Sequence, residues 1–357
     1  MLAQTTETSL IALRALGALA SFVYFVAAIR RYGKRNISRL NLIITTLVSV
    51  TVIMLAIAPD LFNPVFEAFN FEPGDQRRLI GVLMVSVIVI FGLLMRTASY
   101  TDQANLSIRL LIEALAVQSF DWERARRLPQ GKRIVVVLPA HNEAENVGAV
   151  IHAMPEDIDG FPIVTVVVDD ASEDDTAETA RAAGALVARH PIRRGGGLAL
   201  RVGYEIALRL DAEVVVSMDA DGQHVPEEME LLVKPILADE ADLVNGSRVL
   251  GEFERESAIR HIGVHFFSWL VTIMVGSRIT DVSNGYRATR TEVLKSLVLH
   301  QDQFWASELL IEGMRQRLRI REVPITVRAR ASGESKKPKT MRYAWNFTKA
   351  IVKTWLR

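Results

Sequence analysis

The sequence predicts an α/β domain on a mostly parallel sheet, preceded by an all-α transmembrane module, and three observations carry that expectation. Hydrophobic residues make up 50% of the 357 positions and crowd into the first hundred. From Arg133 onward the pattern changes to short β-branched runs alternating with helical stretches, the order that builds a parallel sheet covered on both faces. The polar clusters of that second half fall just after the predicted strands, where open α/β sheets bind ligands. The expected organisation is a membrane module over 1–100, an amphipathic helix and linker over 101–132, the α/β domain over 133–337 and an interfacial helix over 338–357.

Three apolar runs define the first module. Ser9–Ile29 and Asn41–Pro59 have the length of bilayer-crossing helices, and Ile80–Met95 reaches it with the flanking Leu79 and Arg96 at the interfaces. The helices are expected at 9–29, 41–59 and 79–96, with Arg14 snorkelling or facing a partner. A cleaved signal peptide is disfavoured, because the basic cluster follows the first run instead of preceding it. The first connection holds Arg30, Arg31, Lys34, Arg35 and Arg39 and no acid, whereas the second holds Asp60, Glu67, Glu72 and Asp75 with only Arg77 and Arg78. Loop charge then places the N-terminus outside and everything after the third helix in the cytoplasm, as an integral protein of the cell membrane.

Composition excludes several chemistries. There is no cysteine, hence no disulfide, thiolate metal site or cysteine nucleophile. Basic and acidic residues number 42 and 41, so charge gives no argument for nucleic acid as a partner. The chain lacks a dinucleotide fingerprint, a P-loop and a nucleophile elbow.

Within the second half, Ile134–Leu138, Ile163–Val168, Ala185–Ala188, Glu213–Met218 and Asp242–Asn245 read as strands. Helices follow, one capped by Asn142, the next by Ser172 and Asp174, then Gly197–Leu210 and Glu227–Leu237. The sharpest cluster is Asp219-Ala220-Asp221-Gly222-Gln223-His224, directly after an apolar run. On extended chain, carboxylates two apart share a side, so Asp219 and Asp221, with the Gln223 amide oxygen, suit Mg²⁺ or Mn²⁺. Asp169 and Asp170 end another strand; Asp169 is the better ligand contact, because capping already accounts for its neighbours. Arg193 and Arg194 before Gly195–Gly197 suit an anion at a helix N-terminus, or else a flexible loop. Arg330, Gly333, Ser335 and Lys336 form either a phosphate clamp or a basic juxtamembrane stretch. Asp281, Gly285 and Arg287 mark a further polar turn. Arg124, Arg126 and Arg127 read equally as a solvated face or a contact to anionic lipid. Met341–Arg357 sets Trp345, Phe347, Ile351, Val352 and Trp355 among basic residues, as in a helix lying in an interface.

Taken in order, VVVLPAHNEAENV, VVVDDASEDDT, SMDADGQHVPE, NGSR, TDVSNGYRA, EVPI and RARASGESK cover roughly Arg133 to Lys336. Together they resemble glycosyltransferase family 2, and within it the dolichyl- and polyprenyl-phosphate sugar transferases. The resemblance implies a GT-A fold and inverting transfer. It assigns nucleotide-sugar contacts to Pro139, His141, Glu143, Val167 and Asp169, with His141 in place of the usual tyrosine. It puts metal and diphosphate contacts on Asp219, Ala220, Asp221 and Gln223, and phosphate contacts on Arg248, Arg330 and Lys336. Asp281 matches an aspartate with a suspected active-site role, so Asp221, Asp281 and Arg248 form the expected catalytic set. Two departures stand out. Many relatives carry a lysine in the glycine turn at Gly195–Gly197, and the better-known ones carry membrane helices after the catalytic domain or lack them.

The implied reaction moves a hexose from a GDP-mannose- or UDP-glucose-type donor to polyprenyl or dolichyl phosphate, whose ionised oxygen needs no strong base. A hydroxyl acceptor on a glycolipid or polysaccharide would need one, for which Asp281 and Glu308 are the candidates. A non-catalytic nucleotide-sugar-binding scaffold is the third reading. Self-association is compatible with all three.

Overall fold

The computed structural model describes residues 2–33, 39–64, 76–253, 258–276, 278–329 and 341–356. The chain divides into two compact units, Met1–Asp102 and Gln103–Arg357.

In the first unit, helices α1 (Leu2–Gly33) and α2 (Arg39–Ile57) pack on one another. Their large apolar side chains point outward: Leu16, Leu19, Phe22, Val23 and Tyr24 on α1, and Ile43, Leu47 and Val50 on α2 are all exposed. Among the described residues no helix is long and apolar enough to cross a membrane. Parts of the expected spans, the side chains of 76–85 among them, lie outside the described set, as do residues 34–38 and 65–75 of the two charged connections. Helix α3 runs uninterrupted from Gln76 to Gln118. The amphipathic stretch at Asn105–Phe120 is therefore not the separate helix the sequence predicts. No proline stands in this run to break it.

The second unit is one mixed sheet between helices. Its elements are α4 (Trp122–Ala125), β1 (Arg133–Ala140), α5 (Ala144–His152), β2 (Asp157–Ile158), β3 (Phe161–Asp169), α6 (Thr176–Ala182) and β4 (Leu186–Arg189). There follow α7 (Gly196–Arg209), β5 (Ala212–Ser217), α8 (Met229–Leu237), β6 (Leu243–Phe253) and α9 (Ala258–Val275). The last are β7 (Arg287–Arg290), α10 (Thr291–Leu294), α11 (Trp305–Arg315), β8 (Ile320–Val327) and α12 (Met341–Trp355).

Strand order is β2-β3-β1-β5-β7-β6-β8, with β4 on β3. Strands β4, β3, β1 and β5 are parallel neighbours, as are β6 and β8. The departure from an all-parallel sheet is β7, which enters antiparallel to both β5 and β6. Its residues RATR carry no apolar run, and it lies buried because its neighbours cover it. The β-branched runs fill the centre: Ile134, Val136, Val167, Val187, Val214 and Val216 are fully buried on one face of the sheet. Val135, Val137, Val166, Val168 and Val215 are buried on the other, against α7 and α11. Burial of both faces explains the continuous apolar reading of these strands.

Helix α12 corrects another expectation. Phe347 and Ile351, read as part of an interfacial face, are buried in the core, with Phe347 stacked on Phe304 at 4.9 Å and tilted against Phe267 at 4.4 Å. Trp345, Val352 and Trp355 remain exposed. One face of this helix belongs to the domain.

Candidate active site

Strands β1, β3 and β5 end side by side, and three loops leave their carboxyl ends. The first two lace together. Asn142 N–H donates to the Ser172 hydroxyl (2.9 Å), Glu143 N–H to the Thr176 hydroxyl (2.9 Å) and Ala144 N–H to Asp174 (3.2 Å), while Asn142 Oδ1 accepts Glu173 N–H. Thus Asn142 does not cap its own helix, which starts after Glu143; it sits at φ 51° and braces the neighbouring loop. Ser172 likewise serves the preceding loop, while Asp174 serves both, accepting Ala144 N–H of the helix before and Thr176 N–H (3.2 Å) at the start of its own. The orphan N–H groups of one helix end are met by side chains from the next loop.

Asp169 is fully buried at the end of β3. Its Oδ1 accepts the Ser172 N–H and hydroxyl, and its Oδ2 lies 3.0 Å from Arg189 Nε. Asp170 holds the glycine turn, accepting His190 Nδ1–H (2.8 Å), Arg194 N–H (2.8 Å) and Gly195 N–H (2.6 Å). Burial alone would raise the Asp170 carboxyl, but the His190 bond and the two backbone donors outweigh it and hold the group below its usual range. Gly197 N–H is given to Asp302 O (2.9 Å). The helix N-terminus read as an anion site has therefore committed the donors of Arg194, Gly195 and Gly197 to the protein itself. His141 Nδ1 donates to Asp170 O (3.0 Å), Glu143 is bonded to Asn146, and Pro139 is partly exposed. Val167 is different: its side chain is part of the core.

Strand β5 stops at Ser217, and Asp219–Gly222 form a turn with Gly222 at φ 75°. The two carboxylates thus sit on a bend, not on the extended chain from which their spacing was argued. Asp221 is 6% exposed and accepts Gln223 N–H (3.2 Å); Asp219 is partly exposed, and Ala220 is buried. Behind the turn, Asp219 N–H faces His224 Nδ1 at 3.4 Å, which leaves His224 Nε2–H to donate to Asn284 Oδ1 (2.9 Å). Asn284 in turn donates to Gly246 O, and Ser217 to Gly285 O. Gln223 is held through backbone and side chain by Arg328, whose N–H donates to Gln223 O (2.8 Å) and whose carbonyl accepts from Gln223 Nε2 (3.1 Å). Arg330 and Lys336 lie outside the described residues.

Arg248 and Asp281 come together as a buried ion pair. Arg248 Nε and Nη2 reach the two Asp281 oxygens at 2.7 and 3.2 Å, and Nη2 also reaches the Ser283 hydroxyl. Asp281 is fully buried. Glu322 holds the same turn from β8, accepting Thr280 N–H, the Thr280 hydroxyl and Asn245 Nδ2. Arg287 is fully buried, bonded to Asn245 Oδ1, Val282 O and Ala306 O, and burial brings its guanidinium down to about 10. Glu308 is buried too, accepting His300 N–H and Gln301 N–H at 2.8 Å each, and burial pushes its carboxyl up to about 7.

Sequence reasoning missed His224, Asn284, Glu322, Arg189 and Asp302 as supports. His224 stood in a quoted motif beside the carboxylates, so its adjacency was a signal. Asp302 stood in no motif, and only the fold shows it joining Arg194, Arg201 and Arg109.

Among the described residues no three His, Asp or Glu side chains cluster to hold a metal alone. Asp219, Asp221 and the Gln223 amide oxygen are a hard-oxygen set of the kind that takes Mg²⁺ or Mn²⁺ when a substrate supplies further oxygens.

The fold and the site together are those of a mixed α/β sheet that carries paired carboxylates on the turn after its central strand. The model of glycosyl transferase family 2 matches residues 135–298. An undecaprenyl-phosphate mannosyltransferase of Micrococcus luteus is 33% identical over 219 residues, covering 57% of this chain and 87% of that protein. A polyprenol monophosphomannose synthase of Mycolicibacterium smegmatis is 33% identical over 221 residues, 57% and 81% of the two chains. Among solved structures, glucosyl-3-phosphoglycerate synthase from Mycobacterium tuberculosis, in complex with Mn²⁺, UDP and glucosyl-3-phosphoglycerate, superposes with a TM-score of 0.51 at 26% identity. That match covers 66% of this chain and 81% of the synthase. The chain belongs to glycosyltransferase family 2, and its fold is GT-A-like.

Proposed function

We propose that the chain transfers a hexose, with inversion, from a GDP- or UDP-linked donor to polyprenyl or dolichyl phosphate at the cytoplasmic face of a membrane. The observation that carries the choice of acceptor is the state of the two candidate bases. Asp281 is locked bidentate to Arg248, and Glu308 is buried holding the loop at His300 and Gln301. A hydroxyl acceptor needs a base and these two candidates are engaged by the protein, whereas a phosphate oxygen arrives already ionised. The acceptors in the names of the two bacterial relatives are of the same kind.

In this reading Asp219, Asp221 and Gln223 hold the cation, which supplies positive charge to the departing diphosphate. Asp169, Glu143, His141 and Pro139 border the nucleotide, with Asp169 oriented by Ser172 and Arg189. Arg248, the phosphate contact that the family resemblance implies, is held at the turn by its pairing with Asp281. Arg330 and Lys336 are the further phosphate contacts in this reading, and the described residue Arg328, two before Arg330 in the sequence, bonds Gln223. Membrane anchoring by residues 9–29, 41–59 and 79–96 is supported by the outward-facing apolar side chains of α1 and α2.

The test is transfer from labelled GDP-mannose and UDP-glucose to polyprenyl phosphate by the purified full chain, with Mn²⁺ or Mg²⁺. Asp221→Ala should abolish product formation. Undiminished transfer in that variant would remove the metal role; transfer only to a glycolipid hydroxyl would replace the acceptor.

A further inference from the structure

We infer that Trp305 is the platform on which the hexose ring of the donor stacks, an inference that rests on the glycosyl-transfer reading above. The motif residues account for nucleotide, metal and phosphates, but none offers a surface to the sugar ring itself. Trp305 opens α11 and is partly exposed. It lies against Gly285, and a Cβ on that glycine would stand 3.2 Å from Asp219 Oδ1 and 3.2 and 3.3 Å from Cζ2 and Cη2 of the Trp305 ring. The indole and the candidate metal carboxylate therefore flank one spot of backbone, which only glycine leaves open to both. The opposite edge of the ring faces the glycine turn, with Nε1 3.6 Å from the Cβ position of Gly196. Among the described residues the indole N–H has no acceptor.

The ring is set, not loose. Phe304 before it takes a left-handed conformation (φ 60°), the Arg287 guanidinium lies 5.9 Å over the indole, and Arg287 also bonds Ala306 O. In the reading above the donor's diphosphate meets the cation held at Asp219, so the sugar it carries would lie on the side of that carboxylate where the indole stands. The sugar's C–H face is apolar, and an aromatic plane is the surface that covers it with dispersion contact and no desolvated polar group.

The test is calorimetric binding to the full chain in Mn²⁺, with UDP, GDP, UDP-glucose and GDP-mannose as probes. For Trp305→Ala, affinity for the nucleotide-sugar that the wild type binds should fall about tenfold, the value of a stacked aromatic contact. Affinity for the matching nucleoside diphosphate should stay within about twofold, which also reports that the variant is folded. Trp305→Phe should keep most of the sugar-dependent affinity. Equal loss for both ligands, or no loss for the nucleotide-sugar, would overturn the assignment. A wild-type chain that binds none of the four probes would sink the glycosyl-transfer reading and this inference with it, and that failure is separable because it precedes any substitution.

Discussion

Arg248 and Asp281 show how a side chain's role is set by what it touches. The two were expected as separate catalytic groups, and each is the other's counter-charge, Asp281 being fully buried. Arg248→Ala leaves a buried carboxylate without its cation, which costs about 3 kcal/mol of folding stability; a urea titration should show the fall in midpoint. Arg248→Lys restores only part, because one ammonium cannot span both oxygens. Glu308 carries a pH signature. Its carboxyl is raised to about 7 by burial against an ordinary value of 4.5, so the folded chain holds the proton more tightly than the unfolded chain. The associated stability is fully present below about 4.5 and is lost as pH rises through about 7. Glu308→Gln should flatten that part of the profile, read as denaturation midpoints from pH 5 to 8. Both roles were out of reach of the sequence, because burial and partners up to 35 residues away decide them.

At the scale of elements, glycines mark where backbones meet. A Cβ on Gly197 would fall 2.1 Å from Gln301 O, and one on Gly203 would fall 2.1 Å from Val137 Cγ1. Helix α7 therefore seats against the 301–302 loop at its first turn and against β1 in its middle. Gly197→Ala must push that loop away from the helix, since its neighbour is backbone and cannot swing aside. The expected loss is about 1–3 kcal/mol, with a lower melting temperature. The strands β1, β3 and β5 were legible because their β-branched runs are continuous and flanked by turn residues. Strand β7 was not, because RATR has no apolar signature and becomes a strand only between β5 and β6. The Asp219–Asp221 pair was legible in position but not in conformation, since the Gly222 turn bends a segment read as extended.

For the whole molecule, the outward apolar side chains of the first unit set an expectation about fractionation. The full chain should remain in the membrane pellet through alkaline carbonate and leave it only with detergent; release by carbonate alone would replace anchoring with peripheral attachment. A reporter fused after Arg357 should be active in the cytoplasm, as loop charge requires. The same exposure on α12, at Trp345, Val352 and Trp355, belongs to a helix whose other face is core.

The sequence by itself determined the class of fold, the family and the order of the polar clusters along the strands, because hydrophobic period and motif spacing are local properties of the chain. Only the tertiary structure decided which of those clusters keep donors and acceptors for a ligand. Asp170 and Asp302 consume the glycine turn's N–H groups, Arg248 consumes Asp281, and the loop at 300–301 consumes Glu308. The reason is physical: a buried polar group must be satisfied, and which partner satisfies it depends on segments brought together from far apart in the chain.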